Sequence, residues 1–183
     1  FDYNQNEGIA TSQGDVEIEL QGVGRHSSGT GSDSGDTIRV KTTGLTFAQK
    51  SGEASTAGKV EFQLPRAAGS AVGADYNSKT GVVILNSDVH ITTSANGKPA
   101  TVDAGHATIL RDSQQALLTN AVMNYGMATA RADQATVYFR KDGTAEKVDA
   151  QGQARLHTDS GADVEAQTAE VLFSPKSQPL ETT

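Results

Sequence analysis

The feature that most constrains this chain is a heptad that recurs along it. "GDVEIEL" runs from Gly14 to Leu20, and "GKVEFQL" runs from Gly58 to Leu64. Looser copies follow as "SDVHITT" (Ser87 to Thr93), "NAVMNYG" (Asn120 to Gly126) and "GQARLHT" (Gly152 to Thr158). The starts fall at 14, 58, 87, 120 and 152, so the later copies stand 29, 33 and 32 residues apart. A second motif sits between them: Ala, two residues, Ala, one residue, apolar. It reads "AVGADY" (Ala71, Ala74, Tyr76), "AGHATI" (Ala104, Ala107, Ile109), "ADQATV" (Ala132, Ala135, Val137) and "AQTAEV" (Ala166, Ala169, Val171). "TTGLTF" (Thr42, Leu45, Phe47) is a degenerate copy. A unit of this size cannot hide an apolar face alone and must stack on its neighbours.

Inside each unit the period is two. Val16, Ile18 and Leu20 alternate with Glu17 and Glu19, and Val60, Phe62 and Leu64 alternate with Glu61 and Gln63. Residues two apart share one face of a strand, so one face is apolar and the other solvated. The Ala-x-x-Ala step breaks that parity, which predicts a bulge or corner where small residues let the chain bend. "NSKTG", "SANGK", "RKDG" and "TDSG" read as turns between short strands. "DSQQALLTNAVM" (Asp112 to Met123) comes closest to a helix but falls on the repeat, so it too reads as strand.

Two architectures stack such units, a parallel β-helix and an open antiparallel sheet of jelly-roll type. The drifting period and the hairpin-like turns favour the second. The expected fold is therefore all-β: an antiparallel, open, folded-over β-jelly roll built from repeated short-strand units. Residues 1–183 form a single domain, with a Gly/Ser-rich insertion, "GVGRHSSGTGSDSGD", at 22–36. That stretch has no apolar anchor beyond Val23 and reads as a flexible loop.

Composition narrows the function classes. With a net charge of -7 and 15 Lys and Arg spread along the chain, a nucleic-acid partner is not expected. The absence of cysteine excludes disulfides and thiolate metal sites. No apolar run is long enough to span a bilayer, and no signal segment is present. The abrupt "FDYNQNEG" and "PLETT" read as cuts inside a longer protein.

The chemistry-bearing residues are scattered. His26 lies in the insertion, and His90, His106 and His157 fall in different repeats without metal-site spacing. "SDSGD" lacks the spacing of a calcium loop and the order of a nucleophile elbow, and "GVGRHS" lacks a following helix. Glu17, Glu19 and Glu61 on solvated strand faces would suit a carbohydrate-active β-repeat enzyme, but few aromatics are present to stack sugars. Arg131, Arg140, Lys141, Lys147 and Arg155 gather in the last third, as surface charge or as a rim for lipid phosphates. No catalytic residue, cofactor or metal is expected. The apolar phase predicts one lined face with Val16, Ile18, Leu20, Val60, Phe62, Leu64, Val89, Ile91, Val137, Phe139, Val171 and Phe173.

"GIATSQGDVEIEL", "GLTFAQKSGEASTAGKVEFQL" and "GSAVGADYNSKTGVVILNSDVHI" together resemble the OstA-like periplasmic domains of the lipopolysaccharide transport system. The LptC-like branch is nearest and the LptA-like branch next, and the likeness spans about residues 1–173. The resemblance implies a taco-shaped β-jelly roll whose apolar interior holds the acyl chains of lipopolysaccharide or a related lipid. It implies docking to other OstA-like domains by edge-strand pairing and to an inner-membrane ABC exporter complex. It also implies a periplasmic location, with a tether to the inner membrane in a segment absent from this chain. A structural or assembly β-repeat protein without ligand is the alternative. In either case the terminal strands, in "FDYNQ" and "TAEVLFSP", are the expected docking edges.

Overall fold

The computed structural model describes residues 2–21, 37–64, 67–95, 98–141, 143–158, 160–173 and 179–182. The expected loop at 22–36 lies outside the described residues. What is described is all-β, folded as an open antiparallel β-jelly roll of one thirteen-stranded sheet. The strands are β1 (Asp2–Asn4), β2 (Ile9–Gln21), β3 (Thr37–Ala48), β4 (Glu53–Gln63), β5 (Ala67–Asn77), β6 (Val82–Ala95) and β7 (Lys98–Ala104). They continue with β8 (His106–Leu110), β9 (Gln115–Tyr125), β10 (Ala128–Phe139), β11 (Ala145–His157), β12 (Asp163–Phe173) and β13 (Pro179–Thr182). Neighbours in sequence are neighbours in the sheet, except that β7 and β8 share one lane between β6 and β9. Asp112 to Met123 is a turn leading into β9, as its place in the repeat predicts.

Each repeat unit is one hairpin. The heptads lie on β2, β4, β6, β9 and β11, and the alanine motifs on β3, β5, β7–β8, β10 and β12. The units do not break into short strands as expected. Most strands run 11 to 14 residues, because the corner is absorbed within the strand.

These corners align across the sheet. Register shifts fall between Ser12 and Asp15, Thr42 and Thr46, Thr56 and Lys59, Ser70 and Val72, Arg131 and Gln134, and Gln151 and Ala154. The β7–β8 lane breaks at Gly105 in line with them. The resulting crease is marked by left-handed backbone at Asp88 (φ 48), Asn120 (φ 52) and Gln153 (φ 45). Asn and Asp tolerate that region best among residues with a side chain. At each of these shifts the extra residue lies on the heptad strand, and the facing alanine strand bends with it. Both alanines of a motif can therefore turn to the same face: Ala104 is 7% exposed and Ala107 0%.

The crease divides every long strand into two arms. The first arm ends at turns that hydrogen-bond to one another in series. Gln49 N donates to Gly8 O (2.8 Å), Ser78 N to Gly52 O (2.9 Å), Arg111 N to Gly81 O (3.4 Å) and Phe139 N to Gln114 O (2.8 Å). Asn4 and Asn77 shape two of these turns, their Oδ1 accepting from the N–H groups of Asn6 and Glu7, and of Lys79 and Thr80.

The core follows the crease. Ala71, Leu85, Val89, Ala104, Ala107, Leu118, Ala121 and Ala135 form one buried cluster, drawn from β5 to β10 and from both arms. Alanines let the two arms approach. The larger Leu85, Val89 and Leu118 supply the burial, at about 1.5–3 kcal/mol per side chain.

The sheet stays open, since β1 and β13 end the strand order without meeting. β1 does come from "FDYNQ". At the other end "TAEVLFSP" is not the last strand, because β13 returns along Val171–Phe173. The expected edge is thus partly covered there, while Asp163–Glu170 has no outer partner among the described residues. Pro175 lies outside the described residues.

Candidate lipid-binding face

The pairing register turns the repeat into rows that run across the sheet from β1 or β2 to β12. On the first arm one row runs Tyr3, Ala10, Phe47, Ala54, Tyr76, Val83, Ile109, Ala116, Val137, Val148, Val171. On the second arm another runs Ile18, Val40, Phe62, Gly69, Ile91, Val102, Met123, Ala130, Leu156, Val164. Neither row contains a charged residue. Val83, Val137 and Val148 of the first, and Phe62, Ile91 and Val102 of the second, pack against the buried cluster. Both rows therefore belong to the inner face.

The expected lining residues take different places on this face. Val16 and Ile18 are half-buried on β2; Leu20 stands opposite Ile38 in the ladder, and its side chain lies outside the described residues. Phe62, Ile91, Val137, Phe139, Val171 and Phe173 are half-buried. Leu64 lies just past β4, where its N–H donates to Ala67 O (2.7 Å), and it is exposed. Val60 and Val89 are buried, at 4% and 2% exposure, so they support the face from within the packing.

Three inner-face residues absent from that set are Phe47, Tyr76 and Ile109. Each is the final apolar residue of an alanine motif, as are Val137 and Val171, so the motif itself carried the signal. Tyr3 completes the aromatic stretch, and its hydroxyl donates to Gln49 Oε1 (3.1 Å). Tyr3, Phe47 and Tyr76 are all exposed despite facing inward.

The outer face is ionic. Glu17 pairs with Lys41 (3.4 Å), Glu19 with Arg39 (3.5 Å) and Glu61 with Lys59 (2.7 Å). Each carboxylate thus faces a cation rather than a second carboxylate, which is not a general acid and base pair. His90 Nδ1 and Asp103 Oδ1 lie 2.6 Å apart, as do His157 Nδ1 and Asp163 Oδ1. His106 lies near Thr108 Oγ1 and Asn86 O. Among the described residues no three His, Cys, Asp or Glu come together as metal ligands would.

The basic residues of the last third do not form one cluster. Lys147 joins Asp149 (2.8 Å) and Glu170 (3.2 Å), and Arg155 joins Glu165 (3.2 Å). Arg131 lines a depression at the crease, while Arg140 and Lys141 stand at the first-arm turns. Residues close in sequence were carried by the crease and the hairpin to different arms.

Fold and face together define an open, creased antiparallel sheet, apolar across one face and ionic on the other. No protein-family model matches this chain, and no curated protein matches it in sequence.

Proposed function

We propose that this protein is a periplasmic lipid-binding module. It holds acyl chains of lipopolysaccharide, or of a related lipid, on its inner face and passes them along during export to the outer membrane. The observation that carries this reading is the pair of uninterrupted apolar rows. A row without charged groups offers graded contact from strand to strand, and burying one CH₂ contributes about 0.8 kcal/mol. Binding and release along such a path need no catalytic group. In this reading the partners are other OstA-like domains and an inner-membrane ABC exporter. The stretches of β2 and β12 that have no outer partner among the described residues supply backbone groups for strand addition by such a domain.

The test compares two residues of equal exposure on opposite faces. Phe47 on the inner row is 39% exposed, and Leu117, between the inward Ala116 and Leu118, is 41% exposed. A photo-crosslinking residue at Phe47 in Gram-negative cells should capture lipopolysaccharide or a lipid A analogue, and one at Leu117 should not. Phe62 and Phe139 should behave like Phe47, and Glu61 like Leu117. Equal capture from both faces would remove the basis of the proposal.

A further inference from the structure

Ion pairing in this molecule is distributed unevenly. Arg39, Lys41, Lys59, Lys147 and Arg155 each have a carboxylate partner. Among the remaining described lysines and arginines whose side chains are placed, all but Arg131 stand at the first-arm turns. They are Lys50, Lys79, Arg111, Arg140 and Lys141, and no carboxylate lies within ion-pair distance of any of them among the described residues. Successive turns are two strand spacings apart, so these cations form a row with steps of roughly 10 Å.

The turns hold this row in place. Lys50 Nζ donates to Asn6 O (2.9 Å), and Lys79 Nζ donates to Lys50 O (2.8 Å), each lysine reaching back to the preceding turn. The Arg140 guanidinium donates to Ala145 O and Phe173 O. A lysine ammonium has three donors, so Lys50 and Lys79 each keep donors for another acceptor. The acids on the same rim form no ion pair with these cations among the described residues: Glu7 accepts from Asn4 Nδ2 (3.0 Å), Glu53 accepts from Asn77 Nδ2 (3.4 Å), and Asp112 lies beside Arg111 over Gly81.

The exposed aromatic residues lie at the same end of the sheet. Tyr3 and Tyr76 are one residue from the turns that begin at Asn4 and Asn77, and Phe47 is two from Gln49. An apolar shelf and a row of cations that form no ion pair among the described residues thus meet at one edge of the first arm.

We propose that this rim is a headgroup site for an anionic amphiphile, with phosphate or carboxylate over Lys50, Lys79 and Arg111 and its chain on the row of Tyr3, Phe47 and Tyr76. The proposal rests on the lipid reading above and adds a charge preference and an orientation to it. The occupant is a lipid headgroup, because a free anion would leave the aromatic shelf uncovered.

The test uses dodecyl phosphate, neutral dodecyl maltoside and inorganic phosphate, each titrated below micelle formation at low ionic strength. The wild-type protein should prefer dodecyl phosphate to dodecyl maltoside by about tenfold, and the preference should shrink with added salt. The triple variant Lys50→Gln, Lys79→Gln, Arg111→Gln should lose that preference and bind the maltoside unchanged. Arg111→Gln alone, at a side chain that makes no hydrogen bond among the described residues, should lose part of it and guards against misfolding of the triple variant. Equal affinity for the two amphiphiles overturns the rim while leaving the apolar face standing. Inorganic phosphate bound as tightly as dodecyl phosphate overturns the lipid assignment of the rim. Failure to bind either amphiphile overturns the lipid reading, and the rim with it.

Discussion

The inner face behaves differently at its N-terminal end and at its centre. Between β5 and β10 the residues buried along the crease are all Ala, Leu or Val and close over one another, with Ala107 at 0% exposure. Across β1–β5 the same row carries Tyr3, Phe47 and Tyr76, and all three stay exposed. Thus three large aromatics of the first-arm row stand where the sheet leaves them open, and the alanines stand where it closes. A chain selected for stability alone would place them the other way round, since aromatics bury the most area per residue. The centre holds the fold together, and the N-terminal end keeps apolar surface available.

The sharpest way to break this comparison is to truncate one large residue in each region. Leu85→Ala, at a site 3% exposed, should cost about 2–5 kcal/mol in urea unfolding. Phe47→Ala should cost about 1 kcal/mol or less while weakening amphiphile binding. If Phe47→Ala destabilises as much as Leu85→Ala, the N-terminal end is part of the core and the contrast disappears.

A smaller effect separates the two best copies of the heptad. A methyl group added at Gly58 would overlap the carbonyl oxygen of Thr43, a backbone atom that cannot step aside. At Gly14 the same group meets nothing within 4 Å. Gly58→Ala should therefore cost about 1–3 kcal/mol, and Gly14→Ala should be neutral or stabilise by about 0.5 kcal/mol through the unfolded chain. Similar melting temperatures for both variants would mean that the crease is not tightly closed at β3–β4.

The smallest effects belong to the outer face and should leave the contrast untouched. The hydrogen bond from Lys59, and then its charge, hold the Glu61 carboxyl below the usual carboxylate range, with Lys41 adding a weaker pull. A depressed carboxylate adds stability above its unfolded pKa and gives it up as pH falls through the folded one. Lys147 has the opposite sense: the hydrogen bond to Asp149, and then that to Glu170, raise it against the opposing effect of burial. Its contribution is complete below the usual lysine range and fades as pH rises through the raised value. Glu61→Gln should flatten only the acid limb of stability against pH, and Lys147→Gln only the alkaline limb. Chemical unfolding across pH checks both, and a Glu61→Gln variant with an unchanged acid limb would show that the pair contributes nothing.

Alternation made the strands legible in sequence, because a period of two has one structural meaning. Val16, Ile18, Val60 and Phe62 were assigned to one face and share it. The alanine motifs were equally readable as corners, since a three-residue offset cannot keep parity in a regular strand; that the extra residue lies on the facing heptad strand was not readable. The length of the strands was not readable, because a bulge and a chain reversal both interrupt the alternation. Nor was the difference between Val89, sealed in the crease, and Phe47, left open, since both occupy the apolar phase of the repeat.

The sequence by itself determined that this protein is all-β, that its repeated units carry strands with one apolar face, and that each unit turns a corner at its alanines. These are local properties, set by side-chain period and by the few residues that permit a bend. Only the tertiary structure decided that the corners align into one crease, that the core lies between β5 and β10, and that β13 covers part of the expected edge. It also separated Arg131 and Arg155 from Arg140 and brought Lys50, Lys79 and Arg111 into one row. Those outcomes depend on inter-strand register, which sums small shifts across thirteen strands and is written in no single segment.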